Sequence, residues 1–407
     1  MSINASEHDF QQKLRKIFHD MAIPEDPTED FGYGIRYDFC YGLRMQFPAS
    51  IEPKKYRLRI ADLDTHLIMA DEVVESGEYF VARWRYCLRY SIEVTLPDGK
   101  VEHQDFDAYG KNVVIHIPVR TMGDSIAWFA CMDAFRKKHG CNLHVCMPEY
   151  VAELFRKEYP EIHFITDAER RQMKPYAVYT MGIWMDDPDR CNSPVDYRQC
   201  PLHHYGAHIL GMETEDADTP PRVTIAELAE PVTEPYVCIS SYGSGLCKNW
   251  MNPNGWSRVV KFLKEKKYRV LDIDRQQTYG SGIHYTHIPR EAEDFTGDFP
   301  LSQRAALISG AEFFIGLPSG LSWLAWCCGV PVVLISGFSL PETEFYTPYR
   351  VINRHVCHGC YADTGVRFVP EEFDWCPRHK NTSRHYECTR GITAEMVMDE
   401  IRKITTI

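Results

Sequence analysis

Cys357-x2-Cys360-x15-Cys376-x11-Cys388 is the most specific chemical signal in the chain. Two thiols two residues apart can clasp one ion from a tight turn, and two later thiols complete a tetrahedron. His355, His358, His379 and His385 lie nearby as substitutes for one ligand, although loop histidines ordinarily face solvent. Iron and zinc suit four thiolates equally, so the spacing does not choose between them. A closed shell of four leaves no position for substrate, and the expected role is structural.

A second candidate is Asp124, in Arg120-Thr121-Met122-Gly123-Asp124-Ser125-Ile126. Here a strand reads into a helix. Gly123 permits a tight turn, and the carboxylate is held over the C-terminal edge of the sheet, where open α/β folds bind ligands. A carboxylate so placed can take a proton from an attacking hydroxyl. Aspartate is equally a preferred N-cap for a helix starting at Ser125.

Three further features suit a phosphorylated ligand. Ser241-Tyr242-Gly243-Ser244-Gly245-Leu246-Cys247-Lys248 is a polar loop after a strand, with amides open to phosphate oxygens and one lysine to neutralise a diphosphate. In Leu317-Pro318-Ser319-Gly320-Leu321-Ser322-Trp323 a strand turns into a helix whose first amides can hold an anion. Asp274, in Asp272-Ile273-Asp274, ends a strand where a Rossmann unit places its ribose-binding carboxylate. Glu293-Asp294-Phe295-Thr296-Gly297 follows in the same crevice order. Gly-x-Gly-x-x-Gly is absent, which speaks against a nicotinamide dehydrogenase.

These residues need a scaffold, and the hydrophobic pattern supplies one. Residues 1–33 carry a helical pattern (Phe10, Leu14, Ile17, Phe18, Met21) and a connector. Residues 34–110 read as half-buried strands of period two, including Tyr56–Ile60, Tyr79–Tyr86 and Ser91–Leu96, and Pro97–Lys100 is a turn expected to close the last two into a hairpin. Residues 111–230 then alternate strand and helix: Val113–Val119, Ser125–Lys138, Asn142–Met147, Pro148–Glu158, Ile162–Ile165. After a Pro- and Asp-rich linker at 213–235 the alternation resumes from Tyr236 through 350, and 351–407 hold the cysteines and a last helix. This is βαβ grammar repeated twice. The expected fold is α/β, with two Rossmann-like domains, an N-terminal antiparallel β unit and a C-terminal four-cysteine metal finger.

A net charge of −12 argues against a nucleic-acid partner, which would call for a basic face. No secretory signal is visible, and the longest apolar stretch, Trp323–Phe338, is broken by Gly329, Pro331 and Gly337, so no membrane span is expected. Fifteen cysteines without an export signal suit a reducing, cytoplasmic compartment. Those outside the finger, such as Cys87, Cys131, Cys238 and Cys327, read as small core residues.

The order Thr121-Met-Gly-Asp-Ser-Ile, Lys248-x-Trp250 and Ser319-Gly-Leu-Ser322 resembles the lipopolysaccharide heptosyltransferases, although Pro318 and Trp323 replace the acidic residue and histidine usual there. Phe314–Trp326, Ile335–Pro341 and Trp375-Cys-Pro-Arg-His-Lys-Asn-Thr382 are more specific and resemble the bacterial autotransporter heptosyltransferases, over roughly residues 34–400. That resemblance implies a GT-B fold and inverting, metal-independent transfer of heptose from ADP-heptose to serine hydroxyls of an autotransporter adhesin, before export. It implies Asp124 as general base, Lys248 on the diphosphate, Ser319, Gly320 and Leu321 as the phosphate turn, and iron on Cys357, Cys360, Cys376 and Cys388. It also implies a large ring-like homo-oligomer. An open acceptor groove would be needed, for which Trp128, Tyr176, Tyr179 and Trp184 are candidates. The rival reading is a non-catalytic carbohydrate- or nucleotide-binding scaffold whose metal finger supports assembly.

Overall fold

The computed structural model describes residues 16–404. Two parallel sheets form its body. The first orders its strands His163–Ile165, Asn142–Cys146, Asn112–His116, Ala177–Thr180. The second runs Glu293–Asp294, Arg269–Asp272, Tyr236–Ile239, Phe314–Gly316, Val332–Ile335, Arg350–Val351. In both, the first strand in sequence lies inside and the next two stack outward on one side before the chain crosses to the other. This is the Rossmann order, and it opens a crevice at the C-terminal strand ends where the winding reverses. The central strands are continuous apolar runs such as Val-Val-Leu-Ile at 332–335, buried throughout because helices cover both faces.

The N-terminal region is two antiparallel sheets, not one unit. Glu29–Gly32, Ile35–Asp38, Arg44–Gln46 and Tyr79–Val81 form one, joined to the first parallel sheet by a bridge from Phe39 to Ala177. Ile68–Glu75, Lys55–Asp62, Tyr90–Thr95 and Val101–Asp105 form the other. The Pro97–Lys100 turn joins Tyr90–Thr95 to Val101–Asp105, not to the strand expected at 79–86. That strand stops at Val81 because the amides of Arg85 and Cys87 bond to the Cys191 and Ile209 carbonyls of the first α/β domain. Ile68–Glu75 escapes a period-two reading because it is an edge strand, exposed at most positions and rich in charge.

Of the expected N-terminal helix, residues 16–21 are helical, while Phe10 and Leu14 fall outside the described residues. The last helix, Ala394–Ile404, buries Val397, Met398 and Ile401 against the second sheet and its helix Gly255–Glu265, so it belongs to that domain and not to the cysteine segment. Among the described residues no helix is long and apolar enough to cross a membrane.

Candidate active site

The helix expected from Ser125 begins at Met122 and runs to Phe129. Thr121 is its N-cap residue, so Asp124 is not the cap; it stands in the first turn, where the positive end of the helix dipole favours a carboxylate. The Thr121 hydroxyl donates to Asp124 Oδ2 and fixes its rotamer. Gly123 is helical and has a different reason to be glycine from the expected turn. A Cβ there would lie 3.1 Å from Trp323 Cδ1 and 3.5 Å from Gly320 Cα. The second helix, Gly320–Cys327, therefore meets the first end to end across the domain boundary, and its Gly320 packs reciprocally on Met122.

Ser319 is the N-cap of that second helix, with extended backbone, and its buried Oγ has no hydrogen-bond partner. Ser322 Oγ donates to the Leu317 carbonyl at 2.6 Å and closes the turn beneath it. The Gly320 and Leu321 amides open the first helical turn, which contains no acidic side chain. The two helices thus bring the Asp124 turn against a helix N-terminus whose first amides could hold an anion.

Lys248 ends a short 3₁₀ turn, Leu246–Lys248, with its stem lying on Gly243. Its loop is fixed from three sides. Asp274 accepts from Ser240 Oγ (2.7 Å), the Ser241 amide (2.7 Å) and Ser241 Oγ (3.1 Å). Tyr242 stacks on Tyr279 of the hairpin Thr278–Ser281/His284–His287 at 5.1 Å. The Leu246 amide donates to the Phe373 carbonyl in the cysteine segment at 2.9 Å. Asp274 is buried with both oxygens taken, so in this structure it builds the lysine loop and does not reach into the crevice as a ribose ligand would. Asp294 likewise accepts from Thr296 and Gln277.

Sequence reading missed Glu344 and Tyr361. Glu344 is buried, and burial pushes its carboxyl up against the opposing pull of Arg350 and Lys248, while Asp124 pushes it further up. It therefore lies within electrostatic reach of both the candidate base and the candidate diphosphate lysine. Tyr361 is also held up mainly by burial and secondarily by the charges of Asp124 and Glu344. Neither carries a local motif; adjacency to Cys360 was the one available signal for Tyr361. On the other flank, a cavity of about 830 Å³ opens at the C-terminal edge of the first sheet, lined by His116, Arg120, Tyr150 and Arg171 among others. Tyr150 donates to the Arg120 carbonyl at 2.8 Å and feels both Asp124 and Arg275. Trp128, Tyr176 and Tyr179 are buried in the core and do not line a groove; Trp184 is half-buried.

Cys357, Cys360 and Cys376 lie within electrostatic reach of Cys388. Burial first, then the neighbouring Cys360, Cys376 and Cys357 thiols, raise Cys388, and Cys360 is pushed up to about 12 by burial and by Cys357. Gly359 between the first two adopts the left-handed conformation, which the tight turn requires. Among the described residues two other groups of ligand-type side chains, His116–Cys146–Asp167 and His203–His204–Asp218, have all ligand atoms within 4.8 Å of one another; no three of the four cysteine sulfurs do, so the expected four-cysteine site is not closed here. The segment packs through Cys360, Trp375 and Tyr386 against Leu246, Cys247 and Phe338, which ties it to the lysine loop. Of the other cysteines, Cys87, Cys131 and Cys238 are buried as expected, and Cys327 is half-buried.

Residues 32–98 match the family described as glycosyltransferase TibC, N-terminal domain, and residues 210–365 match glycosyltransferase family 9 (heptosyltransferase). The autotransporter heptosyltransferase BAHTCr of Citrobacter rodentium is 42% identical over 97% of this chain and 94% of its own length. The chain belongs to the autotransporter heptosyltransferases. It is a family 9 glycosyltransferase, with the α/β fold of that enzyme class. The crystal structure of the iron-containing dodecameric glycosyltransferase TibC from enterotoxigenic E. coli H10407 superposes with a TM-score of 0.88 at 40% identity, over 94% of this chain and 98% of that one. TibC has also been solved in complex with ADP-D-beta-D-heptose. A further autotransporter heptosyltransferase, BimC of Burkholderia thailandensis, is described as inactive; it is 32% identical over 94% of this chain and 88% of its own length.

Proposed function

We propose that this heptosyltransferase has the GT-B architecture, takes heptose from ADP-heptose and transfers it with inversion to serine hydroxyls on the passenger domain of an autotransporter adhesin, in the cytoplasm before export. The observation that carries the reading is the end-to-end meeting of the Met122–Phe129 and Gly320–Cys327 helices, with Asp124 on one and an acid-free anion site on the other.

In this mechanism a serine from the acceptor enters past Tyr150 and donates its proton to Asp124. Its oxygen attacks the anomeric carbon on the face opposite ADP. The bond from that carbon to the diphosphate oxygen breaks, and the released charge falls to Lys248 and to the Gly320 and Leu321 amides beside Ser319. Thr121 orients the base. Asp274 contributes by holding the lysine loop; contact with the ribose would require it to exchange its present bonds.

Iron suits Cys357, Cys360, Cys376 and Cys388 as four soft donors, with Cys388 in electrostatic reach of the other three and a left-handed glycine between the first pair. When bound, the ion supplies a covalent-strength staple and no chemistry at the sugar. Its segment anchors Leu246 and presents Tyr361 to the site. The dodecameric state of TibC supports a ring-like homo-oligomer here too.

The test is intact-mass analysis of a passenger fragment incubated with the purified protein and ADP-heptose, in parallel with other nucleotide sugars. Heptose-sized increments that require ADP-heptose are expected. The description of BimC as inactive favours one rival, a binding scaffold without turnover. ADP-heptose binding with no increment from any donor would establish that rival.

A further inference from the structure

We propose that His203, His204 and Asp218 form a site for a divalent transition-metal cation of the zinc type, distinct from the four cysteines. His204 Nε2 lies 2.6 Å from Asp218 Oδ1, and His203 Nε2 lies 3.7 Å from the same oxygen. The ligand atoms of the three side chains all fall within 4.8 Å of one another. Two imidazole nitrogens and one carboxylate oxygen are a borderline donor set that zinc, cobalt and nickel prefer and that calcium and magnesium do not.

Three features separate this group from a chance histidine pair. His203 is only 4% exposed and its Nδ1 has no hydrogen-bond partner, and the ring packs against Trp323 and Trp326 with centroids at 5.7 and 5.4 Å, which fixes its orientation toward Asp218. The carboxylate carries no competing cation: among the described residues its ion-pair partners are the two histidines. In the other group, His116–Cys146–Asp167, the carboxylate is already paired with Arg170 and Arg171, each at 2.6 Å, and a metal ion would be repelled. Finally, His208 follows His204 by four residues on the helix Leu202–Ile209, which places it on the same helix face.

The location gives the ion a consequence. Asp218 ends the short turn Thr214–Ala217 at the start of the interdomain linker, and the histidines sit on the helix that packs against Met122–Phe129. Trp323, which His203 touches, is the residue that meets Gly123. A bound cation would staple the linker to the helix pair that forms the catalytic cleft.

Cobalt titration of the full-length protein, with its cysteine-bound metal left in place, tests the site. Wild-type protein should take up one equivalent with the weak visible bands of nitrogen and oxygen ligands and no thiolate charge-transfer band. His204→Ala and Asp218→Asn, both on solvent-reachable side chains, should weaken that uptake more than about tenfold while the thermal transition of the protein without added cobalt stays in place. Uptake equal in wild type and both variants, a thiolate band, or no uptake by wild type would each overturn the proposal.

Discussion

The two parallel sheets wind in the same order, yet the helices that leave their switch points do opposite electrostatic work. The helix after the first strand of the first sheet carries Asp124 in its opening turn. The helix after Phe314–Gly316 in the second sheet opens with Ser319, Gly320 and Leu321 and has no acidic residue there. A helix N-terminus favours any negative charge. Filled with the protein's own carboxylate, that position suits the proposed base; left with open amides, it suits the proposed anion site. Topology provides the position, and one side chain decides the chemistry.

Exchanging the charge on one side should have the largest effect. Asp124→Asn keeps the shape and removes the proton acceptor, so transfer measured by mass should fall by about 10²–10⁴-fold while ADP-heptose affinity and oligomer size hold. Retained turnover would dissolve the contrast between the two helices. Cys376→Ser should come next: loss of bound iron, a lower thermal midpoint and a looser Leu246–Lys248 loop, read by metal analysis, calorimetry and hydrogen exchange. On the anion side, Lys248→Ala should weaken ADP-heptose binding by about 10–100-fold in calorimetric titration, the worth of a charge-assisted contact.

The join between the helices is sharpened by Gly320→Ala. The new Cβ would lie 2.8 Å from Met122 Cβ, which cannot swing away, and a loss of about 1–3 kcal/mol in denaturant unfolding is expected. The smallest effect is a difference in pH response. His116 and His139, in the first domain, are each brought down to about 4 by burial. Their folded values lie below the ordinary 6.5, so the stability they contribute is complete above 6.5 and is lost as pH falls toward 4. In the second domain burial raises the Asp272 carboxyl, as it does Glu344. Their contribution is present below the ordinary carboxylate value and is lost as pH rises through the folded value. Hydrogen exchange between pH 6.5 and 4 should therefore show protection falling at Asn112–His116 while Tyr236–Ile239 holds.

The sequence by itself determined the doubly repeated βαβ order, because fully apolar runs of four or five residues separated by helical periods admit few other folds. It also determined the chemical types at hand: one carboxylate after a strand, one lysine in a Gly-Ser loop, a strand-to-helix turn free of acid, and four cysteines in metal spacing. These are local patterns, readable from neighbours along the chain. Only the tertiary structure decided how they meet. Gly123 and Gly320 lie far apart in sequence, and their shared reason for being glycine, the approach of two helices from two domains, has no local trace. Asp274 has the position of a ribose ligand but is consumed by Ser240 and Ser241, a loop whose conformation the strand register fixes. Glu344 and Tyr361 come within electrostatic reach of Asp124 from segments with no motif, because burial and nonlocal packing, not pattern, carry them there.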